Sequence, residues 1–209
     1  PFLNISGCMP LIFEEANCEP GKHDKYPIRL LFAGKIESEH GIEYLIETLS
    51  LVSRDENIVS QFEIDICGKG SKSNLISKFV EKEEKLWVNY HGFVSNANYQ
   101  QLLSKADVCI ALQNPNGRYG TYKTPSKVYE YLGNGKMVIT TKAGDLGFLP
   151  SDVLSLCDFD DGQSLYKELA YIANNSYVVK QKSEAAGRYA RQNFAYDKVG
   201  EKLLKFLGS

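Results

Sequence analysis

Ser126, Lys127 and Glu130 are spaced to hold a phosphate and a diol. They lie in Thr124-Pro-Ser-Lys-Val-Tyr-Glu-Tyr-Leu-Gly-Asn-Gly-Lys-Met-Val-Ile139. Thr124 is a favourable N-cap and Pro125 a favourable first helical residue, so this stretch predicts a helix over 125–132 that stops at Gly133-Asn134-Gly135. The N–H groups of Ser126 and Lys127 then lack intrahelical partners, and with the helix dipole they attract an anion. The Lys127 ammonium and the Ser126 hydroxyl add a charge and a donor. Glu130 follows three and four residues later on the same face, roughly 5–6 Å along the axis. That is the step from a pyrophosphate to the ribose hydroxyls of one nucleotide. A carboxylate can accept both hydrogen bonds of a 2′,3′-diol. An ordinary capped surface helix with one solvated glutamate would show the same residue types, so the helix's place in the fold has to separate the two readings.

The elements around it supply that place. From residue 28 onward, short apolar runs alternate with segments of helical period. Strands are expected at 28–33, 62–67, 86–90, 107–112, 137–141 and 153–156. Ile42, Leu45, Ile46 and Leu49 form the stripe of an amphipathic helix, and further helices are expected at 73–84, 99–105, 125–132 and through most of 161–208. Continuous apolar strands separated by helices argue for an α/β domain with a doubly wound, Rossmann-like parallel sheet covered on both faces. In such sheets ligands bind beyond the carboxyl ends of the strands. The helix of Ser126 follows the fourth strand, behind a Gly- and Asn-rich loop at 113–123, and so opens at that edge. Residues 1–27, with Pro1, Pro10, Pro20 and Pro27, stand outside the alternation and read as a linker or the remnant of a preceding domain. Residues 28–209 form the Rossmann-like domain.

Composition narrows the partners. The chain has 209 residues, 43% of them hydrophobic, enough for one sizeable core. A net charge of −2 with scattered basic residues gives no reason to expect nucleic acid. No run of 18 apolar residues occurs, the length a membrane-spanning helix needs. The start carries no signal-peptide pattern, and Pro1 in place of Met suggests a fragment or a processed chain. Cys8, Cys18, Cys67, Cys109 and Cys157 show no CxxC spacing, and the last three sit in apolar runs. They read as buried free thiols of a reducing cytoplasm, which leaves the Asn4-Ile5-Ser6 sequon idle.

The segment from Pro125 to Ile139 resembles the nucleotide-sugar signature of retaining, family-4-type (group 1) glycosyltransferases with the GT-B fold. Other pieces follow in that family's order. Phe32-Ala-Gly-Lys-Ile36 with His40-Gly41 is similar to its first strand and phosphate loop. Ile66-Cys-Gly-Lys-Gly70 is similar to its second strand and Gly-x-Gly turn, Tyr90-His-Gly-Phe-Val94 to the strand end beside the base, and Ala106 to Ile110 to its short fourth strand. The similarity covers about residues 28–208.

The resemblance implies one half of a GT-B fold that binds a nucleoside-diphosphate sugar, UDP- or GDP-linked, with no other cofactor. Lys35, Ser126 and Lys127 would hold the diphosphate and Glu130 the ribose. Gly34, His40, Phe93, Val94, Arg118 and Tyr122 would be base or sugar contacts, with core packing an equal alternative for Phe93. Arg118 and Lys123 could also close over the diphosphate from the 114–121 loop. Lys35 stands where the family has an Arg, His40 where it has a Lys, and Tyr122 where it has an acid near the transferred sugar. No Asp-x-Asp pattern occurs in these loops, so no metal is implied, and no catalytic residue is assigned. The acceptor site would belong to a missing N-terminal domain of roughly 150–200 residues. Through that half the protein could associate with the inner face of a membrane, transferring sugar to a saccharide or lipid-linked acceptor, and the isolated chain would turn over little. Two other readings share parts of the pattern: half of a GT-B-like nucleotide-sugar epimerase, and a non-catalytic nucleotide-binding or scaffold domain. A dinucleotide-binding domain is disfavoured because Gly68-x-Gly70 lacks the third glycine of G-x-G-x-x-G.

Overall fold

The computed structural model describes residues 27–82, 87–117, 120 and 122–208. The expected linker at 1–27, apart from its last residue, Cys8, Cys18 and Arg118 lie outside these. In chain order the elements are β1 (Ile28–Ala33), α1 (Ile42–Arg54), α2 (Glu56–Val59), β2 (Phe62–Cys67), α3 (Ser73–Lys82), β3 (Val88–Tyr90), α4 (Asn96–Lys105), β4 (Val108–Ala111), α5 (Ser126–Gly133), β5 (Met137–Thr141), β6 (Ser155–Cys157), α6 (Gln163–Asn174), α7 (Tyr177–Asn193) and α8 (Tyr196–Leu207). The six strands pair in parallel in the order β3-β2-β1-β4-β5-β6.

The four inner strands, β2, β1, β4 and β5, alternate their side chains between two cores. Leu30, Phe32, Ile64, Ile66, Ile110 and Ile139 face the layer of α1, α3 and α6, where Leu45, Leu49, Ile76, Leu165 and Leu169 are buried. Leu31, Ala33, Cys67, Cys109, Ala111 and Val138 face α4, α5 and α7, against Leu103, Val128, Leu132, Ala186 and Ala190. The period of two is therefore present even though both faces are apolar. Cys67, Cys109 and Cys157 are buried and free. Burial pushes the Cys67 thiol up to about 11 and the Cys157 thiol to about 12, so both stay protonated at neutral pH.

Several boundaries differ from the sequence expectation. The run at 161–208 is three helices, and α6 and α7 both end on asparagine. Asn174, Asn175 and Asn193 each donate a side-chain amide to the carbonyl four residues back, which competes with helix continuation. The short α2 starts because the Asp55 carboxylate accepts from the N–H groups of Asn57 and Ile58. The strand expected at 153–156 shifts to 155–157, and α4 begins three residues earlier than periodicity indicates, capped by Ser95.

Strand order reverses between β1 and β4, so the loops leaving their carboxyl ends diverge and open a crevice. α5 starts beside that opening.

Candidate functional site

The rim of the crevice is laced together by backbone. Gly34 donates to the Cys67 carbonyl at 3.0 Å, Ile36 to the Lys69 carbonyl at 3.2 Å, and Gly68 to the Gly92 carbonyl at 2.7 Å. Gly68 has a φ of +139°, and a Cβ there would stand 1.7 Å from the Gly34 carbonyl oxygen. Only glycine allows the β1 and β2 loops to approach this closely. Glu37 adds a side-chain clasp: its carboxylate accepts from the Ser71 N–H at 2.8 Å and from the Ser71 hydroxyl. Those bonds hold its pKa below the ordinary carboxylate value.

Two cavities meet across this rim. The larger, about 910 Å3, runs over the β1, β2 and β3 ends, between Gly34, Gly68, Lys69, Phe93, Val94, Tyr99 and Lys127. The smaller, about 280 Å3, lies at the β1/β4 opening, between Gly34, Lys35, His40, Gln113, Lys123, Ser126 and Lys127. Gly34, Lys35 and Lys127 belong to both. A Cβ on Gly34 would meet no protein atom within 4 Å, so the fold itself does not require glycine there.

The start of α5 departs from the expected cap. Pro125 (φ −61°, ψ 114°) is the cap residue and Ser126 the first helical residue. Thr124 is drawn elsewhere. Its hydroxyl donates to the Asp145 carboxylate at 2.6 Å, and Tyr129 donates to the same oxygen at 2.9 Å. Without a side-chain cap, the N–H groups of Ser126 and Lys127 keep no acceptor among the described residues, while Val128 donates to the Pro125 carbonyl at 3.0 Å. Ser126 and Lys127 both line the crevice.

Glu130 lies one turn further on and is already engaged. Its two oxygens accept from Tyr99 Oη and Lys127 Nζ, each at 2.9 Å. Lys127 Nζ also sits 3.8 Å from the Tyr99 ring centroid, a cation–π contact. The three side chains form a closed triangle; Tyr99 and Lys127 line the larger cavity, and Glu130, behind them, lines neither. Burial, then the Glu130 charge, raises the Tyr99 pKa well above the ordinary phenol value, so the hydroxyl keeps its proton as a donor. A carboxylate has about four lone-pair positions, and two of these are taken.

The remaining candidates separate. Phe93 is 74% exposed on the rim, with Lys69 Nζ 4.9 Å from its ring centroid; it is not a core residue. Val94 lines the same cavity and packs partly on the α4/α5 core. Lys35, Lys69 and Lys123 make no ion pair among the described residues. His40 is half-buried with Nδ1 enclosed and unpartnered, and desolvation, followed by the nearby Lys123, lowers its pKa. Tyr122 is 88% exposed and lines neither cavity. Arg118 lies outside the described residues.

Sequence reasoning passed over Tyr99, Gln113 and Lys69. Lys69 carried a signal, since it sits in the Gly68-x-Gly70 turn. Tyr99 and Gln113 carried none, because nothing local marks a strand-end glutamine or a helical tyrosine as site residues.

The chain is similar to known proteins in sequence and in fold. A family model described as glycosyl transferases group 1 matches residues 27–175. An uncharacterised 41.2 kDa protein from the cps region of Klebsiella pneumoniae is 23% identical over 179 residues, covering 85% of this chain and 45% of its own. The HepE protein of Anabaena (Alr3699), solved in complex with UDP, superposes with a TM-score of 0.70 at 16% identity, covering 87% of this chain and 48% of that one. A glycosyltransferase from Rickettsia africae superposes with a TM-score of 0.70 at 17% identity, over 98% of this chain and 56% of that one. The chain thus spans about half the length of the relatives it matches.

Proposed function

This chain belongs to the group 1 glycosyl transferases, and on that premise we propose that it is the donor-binding half of a GT-B enzyme, gripping a nucleoside-diphosphate sugar. The observation that carries the reading is the continuity of the two cavities across the start of α5. They share Gly34, Lys35 and Lys127, and the Glu130 carboxylate lies one turn from the free N–H groups.

The base occupies the larger cavity, against the exposed Phe93 ring and Val94. The ribose lies over the Tyr99–Glu130–Lys127 triangle, where Glu130 accepts from its hydroxyls through the unused lone pairs. The diphosphate lies at the junction, met by the Ser126 and Lys127 N–H groups, the Ser126 hydroxyl and the Lys35 ammonium. Lys127 then serves two anions, so its bond to Glu130 is shared with the phosphate when the nucleotide arrives. UDP is the favoured nucleotide, since the HepE structure holds it.

Transfer breaks the bond between the sugar's anomeric carbon and the β-phosphate oxygen. Negative charge grows on the leaving diphosphate while the sugar gains oxocarbenium character. Fixed cations and helix N–H groups aimed at the phosphates stabilise that charge more as it grows. The transfer is retaining, and the site for its saccharide or lipid-linked acceptor belongs to a second half, outside this chain. The protein would act in the cytoplasm, reaching a membrane through that half.

The test is a thermal and calorimetric titration. UDP or GDP should raise the melting temperature of the 209-residue chain, and Glu130→Ala should remove most of the shift. No response to any nucleoside diphosphate at millimolar concentration refutes the reading, and a response to NAD instead would make this a dinucleotide site.

A further inference from the structure

The smaller cavity is lined by two residues that each carry a buried polar atom with no partner among the described residues. Gln113, just past β4, is 2% exposed, and its side-chain Oε1 accepts no hydrogen bond among the described residues. Its backbone is fixed on both sides by Thr141: Gln113 N donates to Thr141 Oγ1 at 2.9 Å, and that hydroxyl donates to the Gln113 carbonyl at 2.7 Å. The amide is therefore placed by the strand end. His40 Nδ1 is enclosed and unpartnered on the same cavity. The loops carrying the two residues are clamped together. Asn114 donates to the Glu39 carbonyl at 2.8 Å, and a Cβ on Gly41 would stand 2.8 Å from Leu112 Cβ.

A buried amide oxygen without a donor is disfavoured, which points to a ligand that brings one. The diphosphate of a nucleotide sugar does not supply that donor, because its diester oxygens are fully ionised at neutral pH. The lysines serve the anion. A sugar hydroxyl both donates and accepts, so it can meet the amide through its oxygen or its NH2 group and can pair with the imidazole as well. The location fits. Ser126 at the start of α5 lines the same cavity, and a glycosyl group is one phosphoester bond beyond a diphosphate held there. At about 280 Å3 the space suits one ring rather than a second nucleotide.

We propose that Gln113 is a sugar-specificity residue: its side-chain amide, beside the His40 imidazole, binds a hydroxyl of the glycosyl group of the donor. This rests on the nucleotide-sugar reading and adds a buried candidate for the sugar contact beside Tyr122, which is exposed and lines neither cavity.

Calorimetry on the 209-residue chain tests it with UDP, GDP and their glucose, galactose, N-acetylglucosamine and mannose conjugates. At least one conjugate should bind more tightly than its parent diphosphate. Gln113→Leu should weaken that conjugate about three- to tenfold, while the parent diphosphate stays within about twofold and so reports an intact fold. A deoxy donor lacking the contacted hydroxyl should bind wild type and Q113L alike. Gln113→Met serves the same purpose should Q113L not fold. The proposal is overturned if diphosphate and conjugate weaken together, if neither weakens, or if no conjugate gains over its parent. Failure of every diphosphate to bind would instead remove the nucleotide reading, and this inference with it.

Discussion

Tyr99→Phe isolates the hydroxyl that holds Glu130 in place. The wild-type phenol donates to Glu130 Oε1 at 2.9 Å, and the tyrosine is 8% exposed. Phenylalanine keeps the ring, its packing on the α4/α5 core and the Lys127 cation–π contact, and removes only the donor. A hydrogen bond to a charged acceptor contributes about 1.5–3 kcal/mol where water is excluded. The Glu130 side chain is 31% exposed, so water recovers part of that, and about 1 kcal/mol remains as the net loss of carboxylate positioning. Ribose recognition should weaken about fivefold. Stability should change little, with the melting temperature falling by no more than about 2–4 °C. The assay is calorimetric binding of UDP and 2′-deoxy-UDP to wild type, Y99F, E130Q and the double variant. Wild type should prefer UDP, Y99F should narrow that preference, and the change should vanish in the E130Q background because the two groups act as a unit. If Y99F retains the wild-type ratio of the two nucleotides, Tyr99 does not position Glu130 for a ribose.

The two rim glycines should behave oppositely. Gly68→Ala places a Cβ 1.7 Å from the Gly34 carbonyl at a φ of +139°; it should cost about 3 kcal/mol or more in chemical denaturation and abolish nucleotide binding. Gly34→Ala meets no protein atom within 4 Å; its unfolding curve should match wild type while UDP affinity falls, and unchanged affinity would mean that no ligand approaches the β1 loop. Asp145→Ala removes the acceptor shared by Thr124 and Tyr129, and urea denaturation should show a loss of about 1–3 kcal/mol. The His40 pKa is lowered from 6.5 by burial, so below that pH the unfolded chain binds the extra proton first. The neutral imidazole's contribution to stability is therefore complete above pH 6.5 and is lost as pH falls through the folded-state value. His40→Gln should flatten that acid-side decline in a series of melting curves, and an unchanged decline would assign it to other groups.

What could be read directly from the sequence is what short-range chemistry specifies. The Ser126–Glu130 spacing is a property of any helix, so the anion-and-diol pattern is visible within five residues. The alternation of apolar runs with helical segments likewise announces a parallel sheet, and a parallel sheet puts its ligand edge at the carboxyl ends of its strands. The choice of partners is different, because it depends on which distant loops the sheet order brings together. Thr124 has the right chemistry to cap α5, yet Asp145 takes its hydroxyl from beyond β5, and the uncapped N–H groups are left for a ligand. Glu130 reads as a free carboxylate, but the position of α4 across the sheet end delivers Tyr99 to it from 31 residues away. Gln113 looks like any polar residue after a strand until the loop after β1 packs against its own and its amide oxygen is buried with no partner among the described residues. Helix geometry and strand period act over a few residues and can be read in order along the chain. Burial and hydrogen-bond competition act between residues that become neighbours only when the chain folds.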